Sequence, residues 1–139
     1  MVGGMGHASM VSLGYSLNSK KKIICLDGDG SILMHLGSLR TFGYLGNSNL
    51  KHILLNNDSH ESVGGQPTTA GGIDFKKLTK SLGYKNYFKV SKTKKINSTI
   101  AKFLMVRGPS FLEVLISMGT SSNLPRPNDL IKIKRKFIT

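Results

Sequence analysis

Two short apolar runs, each ending in a turn suited to a ligand, constrain this chain more than any other feature. Ile23-Ile24-Cys25-Leu26 runs into Asp27-Gly28-Asp29-Gly30-Ser31, and Ile53-Leu54-Leu55 runs into Asn56-Asn57-Asp58. Such runs are too short for helices, and continuous apolar character predicts strands buried on both faces. Gly28 and Gly30 let the backbone turn sharply and approach a ligand closely. Ser31 is expected to begin the next helix, with its N–H and hydroxyl at the positive end. A carboxylate, an amide oxygen and exposed backbone suit a hard divalent cation that bridges to a phosphate. A phosphorylated cofactor is therefore the first functional expectation.

The rest of the chain supplies a frame for these turns. Ala8 to Leu17 reads as a helix with Met10, Val11, Leu13 and Leu17 inward. Lys22 to Leu26 is a strand, Ile32 to Tyr44 a helix, and His52 to Leu55 a strand. A loop from Ser59 to Gly72 follows, rich in Gly, Thr and Pro. Asp74 to Leu82 is a helix with Asp74 as its N-cap and Gly83 as its stop. Asn86 to Val90 is a strand, Ile96 to Val106 a helix, and Ser110 to Ile116 the last strand. Strands alternating with crossover helices predict an α/β fold, a parallel sheet flanked by helices on both faces. Ligands in such folds sit outside the carboxyl ends of the strands, where both motif turns fall.

The 139 residues suit one domain over 1–116, followed by a basic tail over 117–139. The 20 lysines and arginines outnumber the 7 acids, for a net charge of +13. They are spread over element ends and polar helix faces; aromatics are only 7%, with no Trp, and there is no Arg-rich helix or Cys/His finger. A solvated surface that also draws in small anions is expected, rather than nucleic-acid binding. No run of about 18 apolar residues is present, so no membrane span is expected, and the N-terminus lacks the pattern of a signal peptide. The single cysteine, Cys25, excludes an internal disulfide and fits a reducing cytoplasm, as a small core residue.

Gly28-Asp29-Gly30-Ser31 followed one strand later by Asn56-Asn57 resembles the signature of thiamine-diphosphate-dependent decarboxylases, in their diphosphate-binding domain. The resemblance covers nearly the whole chain. Val2 to Ser9, Met34 to Leu39 and Asn57 to Thr68 look like the phosphonopyruvate decarboxylases, with the sulfopyruvate decarboxylase β-subunits as the near alternative.

The resemblance implies thiamine diphosphate and Mg²⁺ as cofactors. Asp29, the Asn57 side chain and the Ser59 backbone carbonyl would bind Mg²⁺, and Gly28, Gly30 and Ser31 would form and hold the diphosphate turn. The Gly3 backbone would meet the aminopyrimidine, and Met5 would prop the cofactor in its bent shape. His7 and His60 are candidates for substrate contact or proton relay; a purely structural role is the other reading of each. His35 and His52 are expected to pack or face solvent. Glu61 is either an exposed loop acid or a participant in loop closure. The implied reaction is decarboxylation of a small anionic 2-oxo acid, phosphonopyruvate giving phosphonoacetaldehyde and CO₂.

The family's activating glutamate lies on a separate pyrimidine-binding domain, and no residue here is assigned to it. Another element normally precedes the segment matching Val2-Gly3-Gly4. The expectation is thus an N-terminally truncated product, a fragment or half of a split enzyme, inactive alone and working as a homo- or hetero-oligomer. A non-catalytic cofactor-binding remnant is a competing class, and a charge-driven nucleic-acid binder is another.

Overall fold

The computed structural model describes residues 3–119, 123 and 127–138. Its framework is a sheet of four parallel strands, β1 (Ile23–Gly28), β2 (Leu50–Asn56), β3 (Asn86–Val90) and β4 (Ser110–Leu115), in the order β1-β2-β4-β3. Six helices accompany it among the described residues: α1 (Ala8–Leu17), α2 (Asp29–Met34), α3 (Ser38–Leu45), α4 (Phe75–Ser81), α5 (Ile96–Met105) and α6 (Leu130–Ile138).

Each sheet face has its own apolar cluster. On one, Leu13, Ile32, Leu39, Phe42 and Phe75 from α1 to α4 close over Cys25, Leu54 and Phe111. On the other, Phe103 of α5, with Ile96, Ile100 and Leu104, packs on Phe88, Val90, Leu112 and Val114. The predicted parallel sheet with helices on both faces is therefore present. The Asp74 cap is also seen, its Oδ1 accepting the Lys77 N–H at 3.0 Å.

Three local features differ from the sequence expectations. The helix expected over Ile32 to Tyr44 begins earlier, at Asp29, and breaks at His35–Gly37 into α2 and α3. Glycine at 37 weakens helical continuity, and the break lets α2 face the site while α3 joins α1, where Ser9 Oγ and Ser38 Oγ lie 3.0 Å apart. The basic tail contains a helix, α6, whose first turn is capped by Asp129 Oδ1 accepting the Lys132 N–H at 2.9 Å.

Strand β1 is the third. It buries Cys25 and Asp27 but leaves Ile24 and Leu26 46% and 61% exposed, because the far-face cluster around α5 draws on β2, β3 and β4 and leaves β1 uncovered. Among the described residues, no helix is long and apolar enough to cross a membrane.

Candidate functional site

The parallel strands carry both motif turns to one end of the sheet. There Met5, Gly28, Asp29, Gly30, Ser31, Leu55, Asn57, Ser59, His60, Glu61, Ser62 and Ile116 line a cleft of about 240 Å³. Helix α2 starts on this cleft. Its N-cap is Gly28 in extended conformation, with no side chain capping the first turn. The N–H groups of that turn are therefore left to a ligand.

Asp29 is buried, and its Oδ2 accepts a hydrogen bond from Thr68 Oγ1 at 2.6 Å. That bond ties the loop after β2 to the turn after β1. A Cβ on Gly30 would overlap the imidazole of His60, with the Met5 methyl next to it. Glycine is thus required where the backbone, the histidine and the methionine converge.

The loop after β2 is built from its own hydrogen bonds. Ser59 N–H donates to Asn57 Oδ1 at 3.2 Å, His60 N–H to the Gln66 carbonyl at 2.8 Å, and Thr68 N–H to the Asp58 carbonyl at 3.0 Å. Asp58 enters this loop in the left-handed region, at φ 54°. Glu61 Oε1 accepts the Gly119 N–H at 2.8 Å, so the loop is fastened to the chain beyond β4.

The two adjacent amides part company at the end of β2. Asn57 lines the cleft. Asn56 is buried beneath it and donates to Glu113 Oε1 at 3.1 Å. Glu113, itself 2% exposed, also receives the Tyr87 hydroxyl and the Lys89 ammonium. Burial, then the Glu113 carboxylate, pushes the Tyr87 phenol above its usual range. Glu113 was not singled out in the sequence; only its place inside the apolar run Phe111 to Ile116 marked it.

The turn after β1 has a second underpinning. Asp27 Oδ1 accepts the Ser31 hydroxyl proton, and Asp27 Oδ2 lies 3.5 Å from His52 Nε2. His52 Nδ1 is 2.9 Å from the Tyr84 hydroxyl. His52 does pack in the core, as expected, but with a polar partner on each nitrogen side. Cys25, Asp27 and His52 also bring one metal-ligand atom each within 4.8 Å of one another. Asp27 and His52 already engage Ser31 and Tyr84, and burial pushes the Cys25 thiol up to about 11. This cluster lies under the site as a polar chain.

The predicted residues therefore divide. Met5, Gly28, Asp29, Gly30, Ser31, Asn57, Ser59 and His60 converge on the cleft. Gly3 is exposed at φ 68°, in the segment leading to Met5. His7 is exposed outside the cleft lining and packs against His35 with the rings tilted, their centroids 4.3 Å apart.

An α/β domain with an uncapped helix start and oxygen donors at one sheet end is the arrangement expected of a protein that binds a phosphorylated ligand. Residues 1–114 match the family model for the thiamine pyrophosphate enzyme, C-terminal TPP binding domain, and the chain belongs to that family. It is 34% identical, over its whole length, to the phosphonopyruvate decarboxylase of Streptomyces viridochromogenes, of which it covers 36%. It is 33% identical over 99% of its length to the sulfopyruvate decarboxylase subunit beta of Methanothermobacter thermautotrophicus, covering 72% of that subunit. A solved structure from Mycobacterium smegmatis, described as a candidate thiamin diphosphate-dependent enzyme, superposes with a TM-score of 0.64 at 17% identity, covering 84% of this chain and 23% of that one. The fold is thus shared with a chain of very different sequence.

Proposed function

We propose that this chain supplies the diphosphate-binding half of a Mg²⁺- and thiamine-diphosphate-dependent decarboxylase for a small anionic 2-oxo acid. The favoured substrate is phosphonopyruvate, converted to phosphonoacetaldehyde and CO₂. The observation that carries this reading is the convergence of Asp29, Asn57 and Ser59 with the uncapped start of α2 on one cleft. The match of the whole chain to 36% of a phosphonopyruvate decarboxylase, at 34% identity, supports the substrate.

The donors suit the cofactor. A carboxylate, an amide oxygen and a backbone carbonyl are hard oxygen ligands of the kind Mg²⁺ takes alongside phosphate oxygens. Asp29, Asn57 and Ser59 would hold the ion, and the N–H groups of Gly30 and Ser31 would take the diphosphate. The bound cofactor supplies the electron sink that lets CO₂ leave. Met5, which lines the cleft, would support the cofactor's bent form, and the Gly3 backbone would meet its pyrimidine. His60, beside Gly30, is placed to meet the substrate's anionic group or to move a proton; His7 lies farther out. The loop from Gly64 to Thr69 would close over the cleft and exclude water.

The reaction requires a pyrimidine-binding domain, in keeping with a chain that spans about a third of the phosphonopyruvate decarboxylases it matches. The working enzyme is a homo- or hetero-oligomer of the cytoplasm. The test is release of phosphonoacetaldehyde from phosphonopyruvate, with Mg²⁺ and thiamine diphosphate, by the chain alone and with a pyrimidine-binding domain. Turnover is expected only in the second case, and turnover by the chain alone contradicts the two-part reading.

A second reading is favoured by the 72% coverage of a separate sulfopyruvate decarboxylase subunit. Comparing kcat/KM for the phosphono and sulfo substrates decides between them. Cofactor binding with no turnover of either, partner domain present, marks a non-catalytic remnant.

A further inference from the structure

A polar chain runs from the core to the cleft, with His52 and Asp27 3.5 Å apart along it, and ends at the Ser31 hydroxyl, whose direction decides how the cofactor site is held together. Burial holds the Tyr84 phenol well above its usual range, so it keeps its proton. Its hydroxyl lies 2.9 Å from His52 Nδ1, where either atom can donate. The other ring nitrogen, His52 Nε2, is the one turned toward Asp27. That atom is fully buried, has no hydrogen-bond partner among the described residues, and faces Asp27 Oδ2 at 3.5 Å. A buried carboxylate requires donors.

The other Asp27 oxygen accepts the Ser31 hydroxyl. A serine hydroxyl has a single proton, so Ser31 Oγ has none left for a phosphate oxygen. Its oxygen instead accepts the Gly6 N–H at 3.0 Å. Gly6 is pressed onto α2, where a Cβ would crowd the Ser31 carbonyl and overlap His35.

We infer that Asp27 and His52, backed by Tyr84, are positioning residues that turn the Ser31 hydroxyl into a clasp between the diphosphate turn and the Gly3–Gly6 segment. The inference rests on the cofactor reading above and refines it: Ser31 contributes its N–H to the diphosphate and its hydroxyl to the spacing between the two halves of the site. Met5, one residue before Gly6, lines the cleft and is held in place by that spacing. Thiamine diphosphate spans both halves and feels the clasp, whereas inorganic pyrophosphate occupies one half and does not.

The test is calorimetric titration of the full chain in Mg²⁺ with thiamine diphosphate and, separately, with inorganic pyrophosphate. In Ser31→Ala, Asp27→Ala and His52→Phe the thiamine diphosphate affinity is expected to fall about tenfold, roughly 1.4 kcal/mol. Pyrophosphate affinity is expected to stay within about twofold, a split that general damage to the fold does not produce. His52→Gln, which restores an N–H donor, recovers most of the loss, and Tyr84→Phe gives a smaller fall of about threefold. Ser31→Ala and Tyr84→Phe each delete one hydroxyl and carry the test if the Asp27 or His52 variants do not fold. Parallel loss of both ligands in Ser31→Ala makes the hydroxyl a direct phosphate ligand and overturns the clasp. Unchanged affinities in the variants overturn it as well. A wild-type chain that binds neither ligand even with a pyrimidine-binding domain present overturns the cofactor reading itself, which separates the two failures.

Discussion

The turn after β1 and the loop after β2 meet at the same cleft but are held from beneath in different ways. Under the first lies a sealed chain, in which Asp27 and Tyr84 are each 6% exposed and His52 not at all. Its carboxylate has one close side-chain hydrogen bond, from Ser31, and an imidazole 3.5 Å away. Under the second lies Glu113, which gathers Asn56, Tyr87 and Lys89, the last with a half-exposed side chain that reaches solvent. The loop above it is also braced by its own backbone bonds. Each strand end thus delivers two polar residues, one to the cleft and one to the core: Asp29 and Asp27 after and on β1, Asn57 and Asn56 after and on β2. The Glu113 anchor is the better compensated and the stronger. The Asp27 anchor is the thinner one, so it is where small changes should alter the site before the fold.

The largest expected effect falls on the stronger anchor. Glu113→Ala leaves Asn56 and Tyr87 without their acceptor and should lower stability by about 3 kcal/mol, the size expected of two unsatisfied polar groups, measured by denaturant unfolding. A loss no larger than that of Asp27→Ala would reverse the ranking of the two anchors. Next is Asp29→Ala, on the ligand side of β1. It should weaken Mg²⁺-dependent thiamine diphosphate binding by about 100-fold, roughly 2.7 kcal/mol, measured by calorimetry. Asp27→Asn, which keeps an acceptor for Ser31, should weaken it far less.

The sealed side has a pH signature of its own. Burial raises the Cys25 thiol from 9.0 to about 11 in the folded chain. The stability this represents is complete below pH 9 and is lost as the pH rises from 9 to 11, because the unfolded chain gives up the proton first. Thermal unfolding across that interval should show a decline of about 2 kcal/mol that Cys25→Ala removes. The smallest effect is in the loop after β2. Asp58→Ala should cost about 1 kcal/mol because alanine is strained at a left-handed φ, while Asp58→Gly should be close to neutral by chemical denaturation.

Much of this was legible in the sequence because it is local. The apolar runs, the helix periodicity, the Asp74 cap and the glycine-flanked carboxylate are written within a few residues. What was not legible depends on which face is covered and on distant pairs. Ile23-Ile24-Cys25-Leu26 reads as a strand buried on both faces, yet nothing in those residues says that the far-face cluster would leave β1 uncovered. His52 and Glu113 acquire their roles only once parallel pairing sets β1 beside β2 and β4 beside β2. The alternation Ile131-Lys132-Ile133-Lys134 gave no helical period, so α6 passed as a tail. The break at His35–Gly37 was signalled by its glycine, but a helical pattern of Leu33, Leu36 and Leu39 ran through it.

The central claim is that the ligand-facing residues at the two strand ends, and not the buried residues beneath them, hold the metal and diphosphate. The most direct measurement is anomalous diffraction from crystals of the chain grown with thiamine diphosphate and Mn²⁺ in place of Mg²⁺. The expected result is one metal peak between the Asp29 carboxylate and the Asn57 amide oxygen, with the diphosphate at the start of α2. A peak among Cys25, Asp27 and His52, or a diphosphate away from Gly30 and Ser31, would contradict it.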